Sequence, residues 1–512
     1  MSGLATAMRN ASNVTTTDNG AVAYRSSLNP LVDWVAGCGG LRGKPKDAVD
    51  LFRVAFAADA RRALSLLLYT RDVREGVGER QTTRDVLVWL EQHHFAALAC
   101  VLPHLHRLGR WDDLLCLRTP QGREMALVLI GDALRAEDAL CAKWMPRMDA
   151  LHPSWEAEFE AADYSRAEAT LTPAKFRRLV WSRLIAGHMG LTPKQYRKTL
   201  VGLTSVVETA MCAKDLSGVD FSKLPSLASS RYMTAFHRLA PEAYAAYKAA
   251  LTKPLKEGEK PEAKINAAAV TPYDVLLAAK RGDEAIAQAQ WQSLPNWFVA
   301  DTRLIPMVDV SGSMEGYYID QARTKTCMDM AIAMGMYMAD KQPGAMNGLA
   351  LTFTDRPEVV DLAVLGEAGA RPLVAMERAF KRRVGYNTDV AAAFRALLGL
   401  MVKHNVPEGE APTHIVLLTD SQFDAVATAP DRTVLSAMRQ EYAAAGYFLP
   451  TVVFWNLNFA KGAIQAKAHT SGAVMVSGYG PAPLAQVFKA QTPAQAMLAI
   501  ADNPRYAIAG ME

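Results

Sequence analysis

From residue 303 onward the chain alternates short apolar, β-rich runs with helical stretches, and this alternation restricts its fold more than any other feature. The runs are RLIPMVDVS (303–311), GLALTFT (348–354), HIVLLTD (414–420), LPTVVFW (449–455) and GAVMVSG (472–478). Apolar runs of this length read as strands buried on both faces. Helical patterns separate them at 319–340, 388–404, 431–445 and 481–491. Such alternation predicts a doubly wound, mostly parallel α/β sheet. It also puts the ends of 303–311 and 414–420 at the carboxyl edge, where such sheets bind ligands.

Before residue 300 the pattern is helix after helix, with segments expected at 47–68, 83–101, 122–141, 173–187, 193–212, 227–251 and 271–290. In 47–68, Leu51, Val54, Ala55 and Ala58, then Leu64, Leu66 and Leu67, recur at helical spacing. Gly76, Gly78, Gly109, Pro153, Pro173, Pro193 and Pro272 fall between segments. Helices joined by short connectors predict stacked pairs of the HEAT or armadillo sort, in a ring or superhelix. The charged stretch TKPLKEGEKPEAK (252–264) reads as a surface loop. Residues 1–25 are small and polar without a hydrophobic period, so a disordered tail is expected. The predicted organisation is a tail at 1–25, an all-α domain at 26–298 and an α/β domain at 299–512.

Composition narrows the setting. A length of 512 residues predicts two or three domains, and 50% hydrophobic with 21% charged content is that of a soluble globular protein. Six widely spaced cysteines without a CxxC pair argue against a disulfide framework or a structural zinc, and fit a reducing compartment. The first residues lack the apolar stretch of a secretion signal, and no run approaches the roughly 20 apolar residues that span a bilayer. A cytoplasmic protein without a membrane partner is expected. Residues 1–300 carry 38 Lys+Arg against 32 Asp+Glu, the remainder 18 against 20. A mildly basic first part is compatible with nucleic-acid binding.

The chemistry-bearing motif is Val308-Asp309-Val310-Ser311-Gly312-Ser313-Met314, a D-x-S-x-S spacing at the end of the first strand. A carboxylate and two hydroxyls from one turn supply three hard oxygen ligands, the donors that Mg²⁺ takes. The plainer reading is a helix cap. The spacing resembles the first loop of the metal-ion-dependent adhesion site of von Willebrand A domains. That resemblance implies that Gly385-Tyr386-Asn387-Thr388-Asp389 supplies Thr388 and that Thr419-Asp420 supplies the last carboxylate. The implied ligand set is Asp309, Ser311, Ser313, Thr388 and Asp420, holding Mg²⁺ or another divalent cation such as Mn²⁺ or Ca²⁺. A position left open would take an acidic group of a protein partner. Asp389 and Asp424 read either as outer partners of the site or, for Asp389, as a residue favouring a helix dipole. The triplet Lys381, Arg382 and Arg383 reads either as an anion contact beside the metal or as a solvated helix face.

Further segments are dispersed through the helical part: YTRDVREGVGER (69–80), LGRWDDLL (108–115), VDFSKLPS (219–226), KINA (264–267) and the region of Trp297. They resemble the TROVE module of the Ro 60 kDa ribonucleoprotein family, and the whole chain is similar to that family's phage and bacterial relatives. The resemblance implies a helical ring that holds single-stranded RNA ends and small structured RNAs, with no catalytic step. Backbone recognition of RNA needs projecting Lys and Arg. Arg71, Arg74, Arg80 and Arg110 lie in the matching segments. Lys175, Arg177, Arg178, Arg183, Lys194, Arg197 and Lys198 form the densest basic stretch. For Arg71 and Arg110, neighbouring aspartates offer the alternative of buried ion pairs. Three functions follow in order: a non-catalytic RNA-binding protein with a Mg²⁺-binding A domain, a metal-dependent protein-interaction module without RNA, and a Mg²⁺-dependent hydrolase using Asp309 and Asp420.

Overall fold

The computed structural model describes residues 12–204, 206–253, 262–282, 284–319, 323–354, 356–365, 371–385, 387–421, 423–424, 432–459 and 462–508. The chain divides into two compact units, one of Met1–Thr82 with Asp220–Ala507, the other of Thr83–Val219 with Ile508–Glu512. The expected division at 298/299 is therefore not where the chain compacts.

The first unit contains a six-stranded sheet. Its strands are β3 (Leu304–Asp309), β4 (Leu349–Phe353), β5 (Val359–Asp361), β6 (His414–Thr419), β7 (Thr451–Asn456) and β8 (Ala473–Ser477). They lie in the order β5-β4-β3-β6-β7-β8, all parallel except β5, which runs antiparallel on β4. The order runs outward in both directions from the β3/β6 pair, so their carboxyl ends form the switch-point crevice of an open α/β sheet. Strands β3, β7 and β8 are buried at every residue, as two-sided helical cover requires. The helix Cys327–Lys341 packs on β3, β4 and β6. It approaches closely at Gly335, where a Cβ would stand 2.4 Å from Val308 Cγ2.

Helices from the start of the chain complete this unit. Pro30–Gly37 is buried along nearly its whole length, Trp34 included, so it needs cover on every side. The sheet supplies part of that cover. Asn456 Nδ2 donates to Ala36 O at 2.7 Å, and Ser477 Oγ to Val35 O at 2.8 Å. Just beyond, a Cβ on Gly39 would lie 2.4 Å from Gly478 N. These contacts explain why residues expected in a separate helical domain belong with the sheet.

The segment 47–68, expected as one helix, is two: Pro45–Ala58 and Ala60–Arg71. Asp59 breaks it with extended backbone, and its carboxylate accepts from Arg62 N at 2.9 Å as an N-cap. The expected disordered tail is also different where it is described. Strands β1 (Val14–Thr16) and β2 (Val22–Tyr24) pair antiparallel as a ribbon. Residues 1–11 of that tail, and 254–261 of the predicted surface loop, lie outside the described residues.

The second unit is helical. It includes Phe95–Leu108, Pro120–Arg135, Ala139–Trp144, Pro193–Leu203 and a run from Pro173 to His188 that contains a π-helical turn at Arg177–Trp181. Pro120–Arg135 packs on Ser182–His188, and Ala139–Trp144 on Pro193–Leu203. Buried polar groups tie the connectors down. The Glu91 carboxylate accepts from Arg118 N at 2.9 Å and from both N and Oγ1 of Thr119 at 2.8 and 2.9 Å. Among the described residues of the chain, no helix is long and apolar enough to cross a membrane.

Candidate metal centre

The end of β3 brings Asp309 into the switch-point crevice with no exposed surface. Its carboxylate accepts Ser311 N at 3.0 Å on Oδ1 and Thr419 Oγ1 at 2.8 Å on Oδ2. Ser311 is buried, and its hydroxyl lies 3.1 Å from that of Ser313. Asp420, directly after β6, is 1% exposed and close enough to Asp309 for the two charges to repel. Burial first, and then Asp420, push the Asp309 carboxyl up to about 7, against the lowering effect of its bonds from Ser311 and Thr419.

Thr388 reaches the same edge from another loop. Gly385 N donates to Val310 O at 3.2 Å, and Gly385 pairs with Ser311 in an isolated parallel bridge. Thr388 itself is 1% exposed. The structure thus gathers all five expected residues at one carboxyl edge: Asp309, Ser311, Ser313, Thr388 and Asp420. Among the described residues there is no group of three or more His, Cys, Asp or Glu that could hold a metal. The five expected residues would offer two carboxylates and three hydroxyls, all hard oxygen. That chemistry fits Mg²⁺ or a similar cation completed by water, and does not fit zinc.

The two nearby aspartates differ in role. Asp389 is the N-cap of Val390–Lys403, its Oδ1 accepting Ala392 N at 2.9 Å, which is the plainer of its two expected readings. Asp424 is tied to the Thr388 backbone: its Oδ2 accepts Thr388 N at 3.1 Å, and Asp424 N donates back to Thr388 O at 3.2 Å. The basic triplet is largely engaged elsewhere. Lys381 pairs with Glu377 at 3.0 Å and Asp329 at 3.3 Å, and Arg383 with Glu358 at 2.9 Å. Arg382 is exposed. Two of the three side chains are thus in ion pairs, as on an ordinary helix end.

The expected RNA contacts separate into two groups. Arg71 is 1% exposed, so it is part of the interior. Arg110 grips Asp112 with two bonds of 2.8 and 2.6 Å and lies over the Trp144 ring at 3.7 Å. The guanidinium of Arg183 donates to Leu179 O at 2.7 Å and Asp149 O at 3.1 Å. Arg177 is half-buried, and Arg178 is exposed but paired with Asp149 at 3.2 Å. Lys175, Lys194, Arg197 and Lys198 are exposed, as are Arg74 and Arg80.

A family described as a domain of unknown function, DUF7788, matches residues 303–498, which span all six strands and the five candidate ligands. A second, DUF2828, matches residues 17–118. The chain is 24% identical over 526 residues to Uncharacterized protein L728 of Acanthamoeba polyphaga mimivirus, covering 94% of this chain and 85% of that protein. Among solved structures, the Deinococcus radiodurans Ro (RSR) protein aligns over 93% of this chain and 99% of its own, at 16% identity and a TM-score of 0.38.

Two residues at or near the candidate site carry little signal in the sequence. Thr419 holds Asp309, and its one signal is its place beside Asp420. Thr17 donates through Oγ1 to Phe423 O at 2.6 Å, across 406 positions of chain, and carries no local signal at all.

Proposed function

We propose that this chain is a non-catalytic binding protein whose sheet unit is a von Willebrand A-type domain that captures an acidic group of a partner through a divalent cation. The observation that carries the reading is the buried pair Asp309 and Asp420 at the switch point, with Ser311 and Ser313 on the turn after β3 and Thr388 on a loop that meets that turn at Gly385. Burial and the neighbouring Asp420 charge raise the Asp309 carboxyl, a cost that a bound cation would relieve. The strand order, with its antiparallel edge β5, supports the same reading. When bound, Mg²⁺ would neutralise the pair and offer a coordination position to a carboxylate. The neutral hydroxyls of Ser311, Ser313 and Thr388 would add oxygen ligands without adding further negative charge, so that an acidic group could take a remaining position. The test is thermal melting in Mg²⁺ and in chelator. A Mg²⁺-dependent rise that vanishes in Asp309→Ala supports the reading, and identical curves sink it. Mg²⁺-dependent turnover lost in Asp420→Asn would replace capture by hydrolysis.

RNA binding of the Ro type is the second part of the reading. It is supported by the TROVE-like segments and by the exposed Lys175 on Pro173–Phe176 and Lys194, Arg197 and Lys198 on Pro193–Leu203. Such contacts give affinity that falls steeply with salt. Filter binding of a single-stranded RNA across a salt series tests it, and salt-independent or absent binding would leave a protein-interaction module without RNA.

A further inference from the structure

The ribbon β1–β2 is attached to loops that follow two central strands of the sheet. At one end, Tyr24 N donates to Ile464 O at 2.8 Å and Ile464 N returns to Tyr24 O at 2.9 Å, in the loop after β7. At the other end, the turn between the two strands meets the loop after β6. Thr17 is buried there; its hydroxyl accepts Ala21 N at 2.9 Å and donates to Phe423 O at 2.6 Å. Gly20 pairs with Asp424 in an isolated antiparallel bridge, and the Asn19 side chain hydrogen-bonds the Asp424 carboxylate.

That carboxylate is the one that accepts Thr388 N at 3.1 Å. A continuous path of contacts therefore joins the ribbon to a candidate cation ligand: Thr17 and Asn19 hold the 423–424 segment, and Asp424 holds the backbone of Thr388 at both N and O. Groups that orient a ligand without touching the metal commonly govern its affinity. We propose that the N-terminal ribbon is a working part of the cation centre, with Thr17, Asn19 and Asp424 as positioning residues for Thr388. The inference rests on the cation reading above and adds to it a requirement that lies outside the sheet.

The test is Mn²⁺ titration of the full-length chain, with free ion read by electron paramagnetic resonance. Thr17→Val keeps the shape and removes the hydroxyl, and Asp424→Asn removes the acceptor charge. Each is expected to weaken Mn²⁺ binding by about tenfold or more, the usual effect of losing an outer partner. Thr17→Ser restores the hydroxyl and is expected to bind within about twofold of wild type, a rescue that general loosening of the ribbon would not give. If Thr17→Val fails to fold, Asn19→Ala, at an exposed turn position, is expected to weaken binding severalfold in a folded protein. Wild-type affinity in a folded Thr17→Val (or Asn19→Ala in its place) and in Asp424→Asn would overturn the positioning role. Absence of Mn²⁺ binding by the wild-type chain itself would overturn the cation centre, and the positioning role with it.

Discussion

Thr419 Oγ1 donates to Asp309 Oδ2 at 2.8 Å, joining the last residue of β6 to the last residue of β3 inside the sheet. The same oxygen accepts Ser421 N at 3.0 Å, where the backbone turns through a positive φ of 65°. One hydroxyl thus fixes both the carboxylate of the first loop and the turn that follows Asp420. In Thr419→Val this hydroxyl is removed while the volume is kept. We expect a cost of about 1–3 kcal/mol in chemical denaturation, from the buried groups left behind, together with weaker Mg²⁺ binding. Unchanged Mg²⁺ affinity in a folded Thr419→Val would separate Thr419 from the centre.

In the helical unit, Asp113 has no exposed surface and accepts Arg84 Nε at 2.9 Å and Arg110 N at 2.9 Å. Arg84 is itself nearly buried and donates to Asp112 O at 2.8 Å. Replacing Asp113 by Ala leaves a buried guanidinium without its main counter-charge, and a loss of about 3–5 kcal/mol is expected. Urea unfolding followed by circular dichroism measures it. A loss under about 1 kcal/mol would show that the GRWDDL segment is not primarily structural.

Exposed and interior arginines should behave differently toward RNA. The combined substitution of Lys194, Arg197 and Lys198 by Ala is expected to lower single-stranded RNA affinity at every sequence. It should also flatten the salt dependence, by about one unit of slope for each phosphate that is no longer neutralised. Melting temperature should stay near wild type, since all three are exposed. Arg71→Ala, by contrast, is expected to lower stability, because the side chain is 1% exposed. A change in RNA salt slope only in Arg71→Ala would reverse this assignment.

His414, the first residue of β6, has its Nδ1 2.9 Å from Thr413 Oγ1 and packs edge-on to Phe488 at 5.3 Å. Burial pushes its pKa down to about 4. The unfolded chain protonates this imidazole near its ordinary value, so the folded state binds the proton less readily. Stability is fully present above about pH 6.5 and is lost as pH falls toward 4. In His414→Phe that loss is removed, worth about 1 kcal/mol at pH 5 after allowing for partial exposure. Equal pH dependence of melting in the two proteins would contradict it.

Much of this architecture is legible in the sequence because it depends on local pattern. The runs at 303–311, 348–354, 414–420, 449–455 and 472–478 are β3, β4, β6, β7 and β8 to within about two residues, since burial on both faces writes itself as continuous apolar sequence. Strand β5 carries no such signal: three residues at a sheet edge need no apolar run. Asp309, Ser311 and Ser313 are legible from spacing alone, whereas Thr388 and Asp420 require the likeness to A domains. The ribbon is not legible. Val14–Thr16 and Val22–Tyr24 are too short, three residues each amid polar sequence, to announce a strand, and their order comes from Phe423, Asp424 and Ile464, some 400 positions away. The unit boundary is hidden for a similar reason, because Pro30–Gly37 reads as any buried helix until the sheet beside it is seen.

If the crevice between β3 and β6 holds one divalent cation through Asp309 and Asp420, isothermal titration of Mn²⁺ into the chelator-treated full chain reads it most directly. One ion per chain is predicted for wild type, with saturation raising the melting temperature by a few degrees, and no binding at this site in Asp309→Ala. Equal Mn²⁺ binding by wild type and Asp309→Ala, or none by wild type, would contradict it.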